Sequence, residues 1–197
     1  MYFFWESKTI GWLVLFITII SVSADKIKHA ADAMVKSGLI NHGWTYINID
    51  DFWQNSRDSK DPDLQGKFRD EAGNIITNKR FPDMKGLADY VHHLGLKIGL
   101  YSSPGPWTCG GCAGSYGYEK NDAKSYAKWG FDYLKYDWCS YGNVIDGLPD
   151  NDPYKVSSLS YKGGEKLNTA VKPFQMMLGK ILGIGLVALT QFFLWIA

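Results

Sequence analysis

The sequence predicts an α/β fold whose parallel strands close into a barrel, and three observations predict it. Amphipathic helix, glycine and short apolar strand recur in that order three times along the middle of the chain. Acidic or hydroxyl-bearing residues follow each of those strands, and no glycine-rich phosphate loop interrupts the pattern. Alternating helices and strands require a parallel sheet with helices outside it. Right-handed crossovers then give either a doubly wound sheet or a barrel, which periodicity alone does not separate. The polar groups do separate them, because in a barrel the carboxyl ends of the strands converge on one face, where active sites lie.

The first helix is expected over residues 25–40, where Ile27, Ala31, Met34, Val35 and Leu39 recur at helical spacing. Gly43 follows, then the strand Trp44-Thr-Tyr-Ile-Asn-Ile49, then Asp50 and Asp51. The second helix is introduced by Pro82, with Asp83 in its first turn, and carries Leu87, Tyr90, Val91 and Leu94. Gly95 stops it, and the strand Leu96-Lys-Ile-Gly-Leu-Tyr101 leads to Ser102 and Ser103. The third helix spans about 121–129. Gly130 ends it, and the strand Phe131-Asp-Tyr-Leu-Lys-Tyr136 ends on Asp137. A glycine closes each helix because the chain reverses there through a left-handed residue.

Composition is globular, with 46% hydrophobic residues and a net charge of +1, so nothing calls for nucleic acid or another strongly charged partner. Aromatics reach 15%, which fits a tryptophan-rich core as well as sugar-stacking platforms. Cysteine stands only at Cys109, Cys112 and Cys139, so at least one thiol is unpaired within the chain. An exported chain would hold one disulfide, a cytosolic one three reduced thiols.

The two ends differ from the middle. Residues 9–22 are uncharged and run into Ser-Val-Ser-Ala, which resembles a signal-peptide core with a small-residue cleavage site before Asp25. Residues 181–197 are uncharged too, at the lower limit of length for a membrane helix. The chain therefore divides into an apolar segment 1–24, a barrel portion 25–180 and an apolar segment 181–197.

Asp137 leaves a strand with Lys135 two residues before it. A nearby ammonium favours the ionised carboxylate, the form a retaining glycosidase needs in its nucleophile. The same two residues also read as a structural ion pair at a strand end. Asp50 and Asp51 are adjacent, so on extended backbone they point to opposite sides, one to the barrel mouth and one to the loop. Two such acids suit sugar hydroxyls. A metal site is disfavoured because no His or Glu follows at ligand spacing, and no cofactor is called for. Cys109-Gly-Gly-Cys112 has redox or zinc spacing, yet it lies in a Pro/Gly-rich loop, and His92 and His93 sit on a helix leading away. A disulfide from this loop to Cys139 is the preferred reading. His29 and His42 read as surface or helix-end residues.

These motifs resemble glycoside hydrolase family 27, the α-galactosidases and α-N-acetylgalactosaminidases. The match is carried by Tyr46-Ile-Asn-Ile-Asp-Asp51, Arg80-Phe-Pro-Asp-Met-Lys-Gly-Leu87, Leu94-Gly-Leu-Lys-Ile-Gly-Leu-Tyr-Ser102, Thr108-Cys109, Gly114-Ser-Tyr-Gly117 and Trp129-Gly-Phe-Asp-Tyr-Leu-Lys-Tyr-Asp-Trp-Cys139. The resemblance implies a (β/α)8 TIM barrel, of which this chain holds about the first four βα units. It also implies a retaining mechanism, α-galactoside oligosaccharides or glycoconjugates as substrates, and a secreted or extracytoplasmic location. By the same resemblance Asp137 is the nucleophile, Asp50, Asp51, Tyr101 and Lys135 bind the sugar, and Cys109 pairs with Cys139, leaving Cys112 as the odd thiol. Asp51 further implies a hexose with a free primary hydroxyl.

The sequence also departs from that family. Gly11-Trp12 stand at about the spacing of its first strand, but Leu13-Val-Leu-Phe16 replace the polar signature, which reads as a frame-altered strand competing with the signal peptide. Residues 170–177 still resemble the helix after strand four, and the match then stops. The expectations that follow are a truncated chain inactive for lack of a general acid/base, and an uncovered apolar inner face inviting self-association. The alternative is a non-catalytic galactose-binding or membrane-associated remnant, with membrane contact through the terminal runs.

Overall fold

The computed structural model describes residues 21–137, 139–147 and 187–188. Helix α1 spans Ala24–Lys36, with the Ser23 side chain at its N-cap accepting from the Lys26 amide, Asp25 in the first turn and Lys36 in the last. It stops short of the expected Ile40. Ser37 and Gly38 turn their amides back onto Ala33 and Val35, and Gly38 takes a left-handed conformation at φ 76°. A 3-10 turn, Leu39–His42, then delivers the chain to Gly43. Helix α2 spans Met84–His93, and Asp83 sits at its N-cap, accepting from the Gly86 amide, rather than inside the first turn. Helix α3 covers Glu119–Trp129 and ends as expected at Gly130, left-handed at φ 86°. A short helix α4 follows at Tyr141–Ile145.

The strands are β1 (Tyr46–Asn48), β2 (Lys97–Ser102), β3 (Tyr133–Tyr136) and β4 (Val187–Ala188). They form one parallel sheet in the order β1-β2-β3-β4. Sequential parallel neighbours are the barrel arrangement; a doubly wound sheet reverses direction at a switch point. The chain is thus a partial (β/α)8 TIM barrel. Ile47, Ile98, Leu100 and Leu134 face the helices and are buried with Ile27, Ala31, Met34, Leu87, Val91 and Tyr126. The opposite face carries Tyr46, Asn48, Lys97, Gly99, Tyr133 and Lys135, as strand alternation requires. Tyr46 meets Tyr133 edge-on at 6.2 Å, and the Lys97 ammonium lies 5.4 Å from the Tyr46 ring. Gly99 sits between them in the register, where a Cβ would collide with Asn48 Oδ1 and the Tyr133 ring.

That face is mixed aromatic and polar rather than apolar. Among the described residues the exposed large hydrophobic is Tyr118, at 44%, on a loop. Expectations about the chain ends fall mostly outside the described residues, residues 170–177 among them. At the N-terminal border Val22 is 2% exposed within the core and Ser23 caps α1, so cleavage before Asp25 would remove both from the fold. Val187 and Ala188, inside the run read as a span, are extended and paired with β3. Among the described residues no helix is long and apolar enough to cross a membrane.

Candidate active site

Strand register carries the candidate residues to one end of the sheet. Asn48 aligns with Gly99, and Tyr101 aligns with Lys135. Asp50, two residues beyond Asn48, therefore falls in the row of Tyr101 and Lys135. The Lys135 ammonium binds both Asp50 oxygens, at 3.2 and 3.3 Å, and lies 4.9 Å over the Tyr101 ring. Asp137 follows Lys135 by two and shares its face; its amide donates to the Ser102 carbonyl at 2.9 Å.

A disulfide joins Cys109 to Cys139 with Cα atoms 5.0 Å apart. The Asp137 carboxylate and the two sulfurs all lie within 4.8 Å of one another, so the disulfide walls one side of the acid. The Tyr101 hydroxyl stands 3.5 Å from Cys139 Sγ. Burial pushes the Tyr101 phenol far above its ordinary value, and the charges of Asp51, Asp137 and Asp50 push it further the same way. Tyr101 thus stays neutral among the acids and can donate a hydrogen bond.

Asp50 and Asp51 divide as adjacent residues on extended backbone must. Asp50 turns to Lys135. Asp51, only 4% exposed, holds the loop: its Oδ1 accepts from the Phe52 amide and Thr108 Oγ1, and its Oδ2 from the Gly110 amide. Burial raises its pKa, against the lowering effect of those three donors. The next residue, Phe52, has φ 71°, a strained conformation outside glycine. Gly110 is required opposite it, since a Cβ there would lie 2.7 Å from the Phe52 ring and 2.8 Å from Asp51 Oδ2.

The loop cysteine left over is Cys112, fully buried. Its thiol is pushed up to about 12, chiefly by burial and then by Asp51, which keeps it protonated and unreactive at neutral pH. With Cys109 in the disulfide, the redox and zinc readings of that loop lapse. His92 pairs with Asp132 at 2.8 Å, at the amino end of β3 and so away from the carboxyl ends of the strands.

Sequence reasoning missed the residues that hold the site together. Thr108 braces Asp51 and accepts from the Cys112 amide. Ser103 donates to the Cys139 carbonyl, and Ser140 Oγ clamps both the amide and the carbonyl of Trp107. Arg69 bridges the two site loops and α3 through Gly73, Gly114 and Asp122. Apart from the Thr108–Cys112 and Arg69–Gly73 bonds, these contacts join segments 33 or more residues apart, with no local spacing signal. Glycine at 110 and the Thr-Cys step were the visible hints.

The class this arrangement defines is a (β/α) barrel with acids, a lysine and a tyrosine gathered at the carboxyl ends of its strands. The family model described as alpha galactosidase A, of the melibiase type, matches residues 19–164. The chain is 49% identical over 121 residues to alpha-galactosidase A of Cellvibrio japonicus, covering 60% of this chain and 27% of that protein. It is 46% identical over 121 residues to the alpha-galactosidase of Coffea arabica, covering 60% and 29%. Among solved structures, alpha-galactosidase I of Mortierella vinacea is similar with a TM-score of 0.56 and 38% identity over 76% of this chain and 34% of that one. An alpha-galactosidase of Saccharomyces cerevisiae solved with raffinose has a TM-score of 0.56 and 31% identity, covering 76% and 30%. The chain belongs to the melibiase, or family 27, glycoside hydrolases, and it spans between about a quarter and a third of the curated relatives it matches.

Proposed function

We propose that the chain binds a terminal α-D-galactosyl group at Asp50, Asp51, Tyr101 and Lys135, and that Asp137 is the nucleophile of a retaining hydrolysis. The observation that carries this reading is the row Asp50–Tyr101–Lys135 with Asp137 one step further along the same strand face. The Asp137 carboxylate attacks the anomeric carbon as the bond to the leaving oxygen breaks. The galactosyl–aspartate ester is then hydrolysed by water, restoring the original anomeric configuration. Lys135 and Asp50 present a donor and an acceptor to sugar hydroxyls, and neutral Tyr101 supplies a further donor. α-Galactoside oligosaccharides such as raffinose are the proposed substrates, and the disulfide supports an extracytoplasmic setting.

Departure of a sugar alkoxide also needs a proton from a second carboxyl. Asp50 is bonded to Lys135 and Asp51 to three donors, so neither is proposed for that task, nor is any other described residue. General acid catalysis contributes about two to four orders of magnitude. With the described residues alone, the site is expected to bind galactose while turning over slowly. Calorimetry with millimolar galactose tests the binding half: heat that disappears in Lys135→Met supports it, and no heat from the unaltered chain overturns it.

A further inference from the structure

Nothing within an aspartate fixes which way its carboxylate faces, because the last torsion of that side chain is broad and turns at little cost. The Asp51 oxygens are therefore aimed by the donors around them. Two of these are backbone amides, Phe52 on Oδ1 at 2.9 Å and Gly110 on Oδ2 at 2.7 Å. The third is a side chain: the Thr108 hydroxyl donates to Oδ1 at 2.8 Å. Burial raises the Asp51 pKa, and among the bonds that oppose that rise the one from Thr108 has the largest effect.

The proton of that hydroxyl is directed. A threonine hydroxyl has one donor and two acceptor positions. Thr108 Oγ1 accepts from the Cys112 amide at 3.0 Å, which leaves the O–H for Asp51. The residue that carries it is 4% exposed and β-branched, hence stiff about its first side-chain torsion. Its amide donates to the Cys112 carbonyl at 2.9 Å, and its own carbonyl accepts from the Gly111 amide at 3.0 Å. The turn so closed, residues 108–112, is tied to the segment after β1. There the Arg57 amide donates to the Gly111 carbonyl at 2.9 Å and the Ala113 amide to the Asn55 carbonyl at 3.1 Å. On its other side the Cys109–Cys139 disulfide ties the turn to the residue two past Asp137. Thr108 is thus a fixed point, reaching Asp51 directly and sharing its turn with the wall of Asp137. A hydroxyl serving the turn alone would need only to accept from Cys112; the donation to Asp51 serves the acid.

We propose that Thr108 is a positioning residue: its hydroxyl sets the rotation of the Asp51 carboxylate, and so the angle at which Asp51 meets a ligand hydroxyl. The proposal rests on the galactosyl reading above, and the test separates the two. Thr108→Val keeps the shape of the side chain and removes the hydroxyl, whereas Thr108→Ser keeps the hydroxyl. D-Galactose is titrated by calorimetry into the full chain and both variants. In the same proteins the Asp51 carboxyl, identified by its loss in Asp51→Asn, is followed against pH by carbon NMR. Thr108→Val should weaken galactose about tenfold, at the low end of what a hydrogen bond to a charged group is worth. It should also move the Asp51 titration to higher pH, because a donor to the ionised form is gone. Thr108→Ser should restore both. Where Thr108→Val does not fold, Thr108→Ala, which has no methyl group to crowd Asp51, is read in the same way. An Asp51 titration unmoved by loss of the hydroxyl overturns the proposal whether or not galactose binds. Galactose affinity unchanged in Thr108→Val overturns it too and leaves the galactosyl reading standing, and affinity that Thr108→Ser fails to restore marks a purely structural role and also overturns it. No galactose binding by the unaltered chain, with the Asp51 titration raised in Thr108→Val and restored in Thr108→Ser, supports the hold of Thr108 on Asp51 and removes the galactosyl site instead.

Discussion

Replacing Arg69 by methionine keeps most of the side chain's length and removes its charge. In the unaltered chain the guanidinium donates to both oxygens of Asp122, at 2.6 and 3.0 Å, to the Gly114 carbonyl at 2.7 Å and to the Gly73 carbonyl at 3.2 Å. The two side chains are 11% and 2% exposed, so water does not replace what the substitution removes. Burial holds the Asp122 carboxyl above its ordinary pKa even with Arg69 beside it, so its ionised form there depends on the guanidinium. Breaking such a pair from one side costs about 3–5 kcal/mol, a large part of a typical domain stability of about 5–15 kcal/mol. Arg69→Met/Asp122→Leu removes the stranded charge as well, and should cost less than Arg69→Met alone. Urea unfolding at neutral pH, followed by tryptophan fluorescence, reads each variant. The reasoning is refuted if Arg69→Met lies within about 1 kcal/mol of the unaltered chain, below the range for a broken buried pair. It is equally refuted if the double variant costs the sum of the singles.

Two further outcomes are expected. The Cys109–Cys139 bridge closes a separation of 30 residues, so Cys109→Ser/Cys139→Ser should lose about 3.5 kcal/mol by the chain-entropy relation; an unchanged urea midpoint would contradict this. Asp51 has its folded pKa raised above 3.8 by burial, so the folded chain holds that proton more tightly than the unfolded one. Its stabilising contribution is complete below the unfolded value and is lost as pH rises through the folded one. The stability of the unaltered chain relative to Asp51→Asn should therefore fall as pH rises from about 4, the unfolded value, and a rise would reverse the sign of the argument.

Local chemistry in the sequence revealed the repeating units but not the ties between them. Gly95 and Gly130 announced the ends of α2 and α3, and both take the left-handed conformation that a helix reversal needs. Alternation along β1 placed Asp50 and Asp51 on opposite sides, and the bonds to Lys135 and to Thr108 and Gly110 follow that division. The end of α1 was misread because the apolar spacing continues past Ser37-Gly38 to Leu39 and Ile40, which instead belong to a 3-10 turn. Lys135 binds Asp50, 85 positions back in the chain, and no local spacing announces that bond. Arg69 and Asp122, 53 apart, carry no pattern that marks them as a pair. The long loop after β1 likewise reads as polar sequence, yet Asn55 and Asn78 fold it by binding backbone carbonyls across it. Periodicity and caps are local quantities; loop closure by buried side chains is not.

The central claim is that Asp137 is the nucleophile, and a trapped intermediate tests it directly. A dinitrophenyl α-galactoside has a leaving group that departs without protonation, so attack by Asp137 should proceed without an acid partner and the ester should accumulate. Intact-protein mass spectrometry should then find one galactosyl group per chain, mapped by peptide digestion to Asp137 and absent from Asp137→Asn. An adduct that persists in Asp137→Asn, or a chain that binds galactose yet never acquires one, would contradict the account.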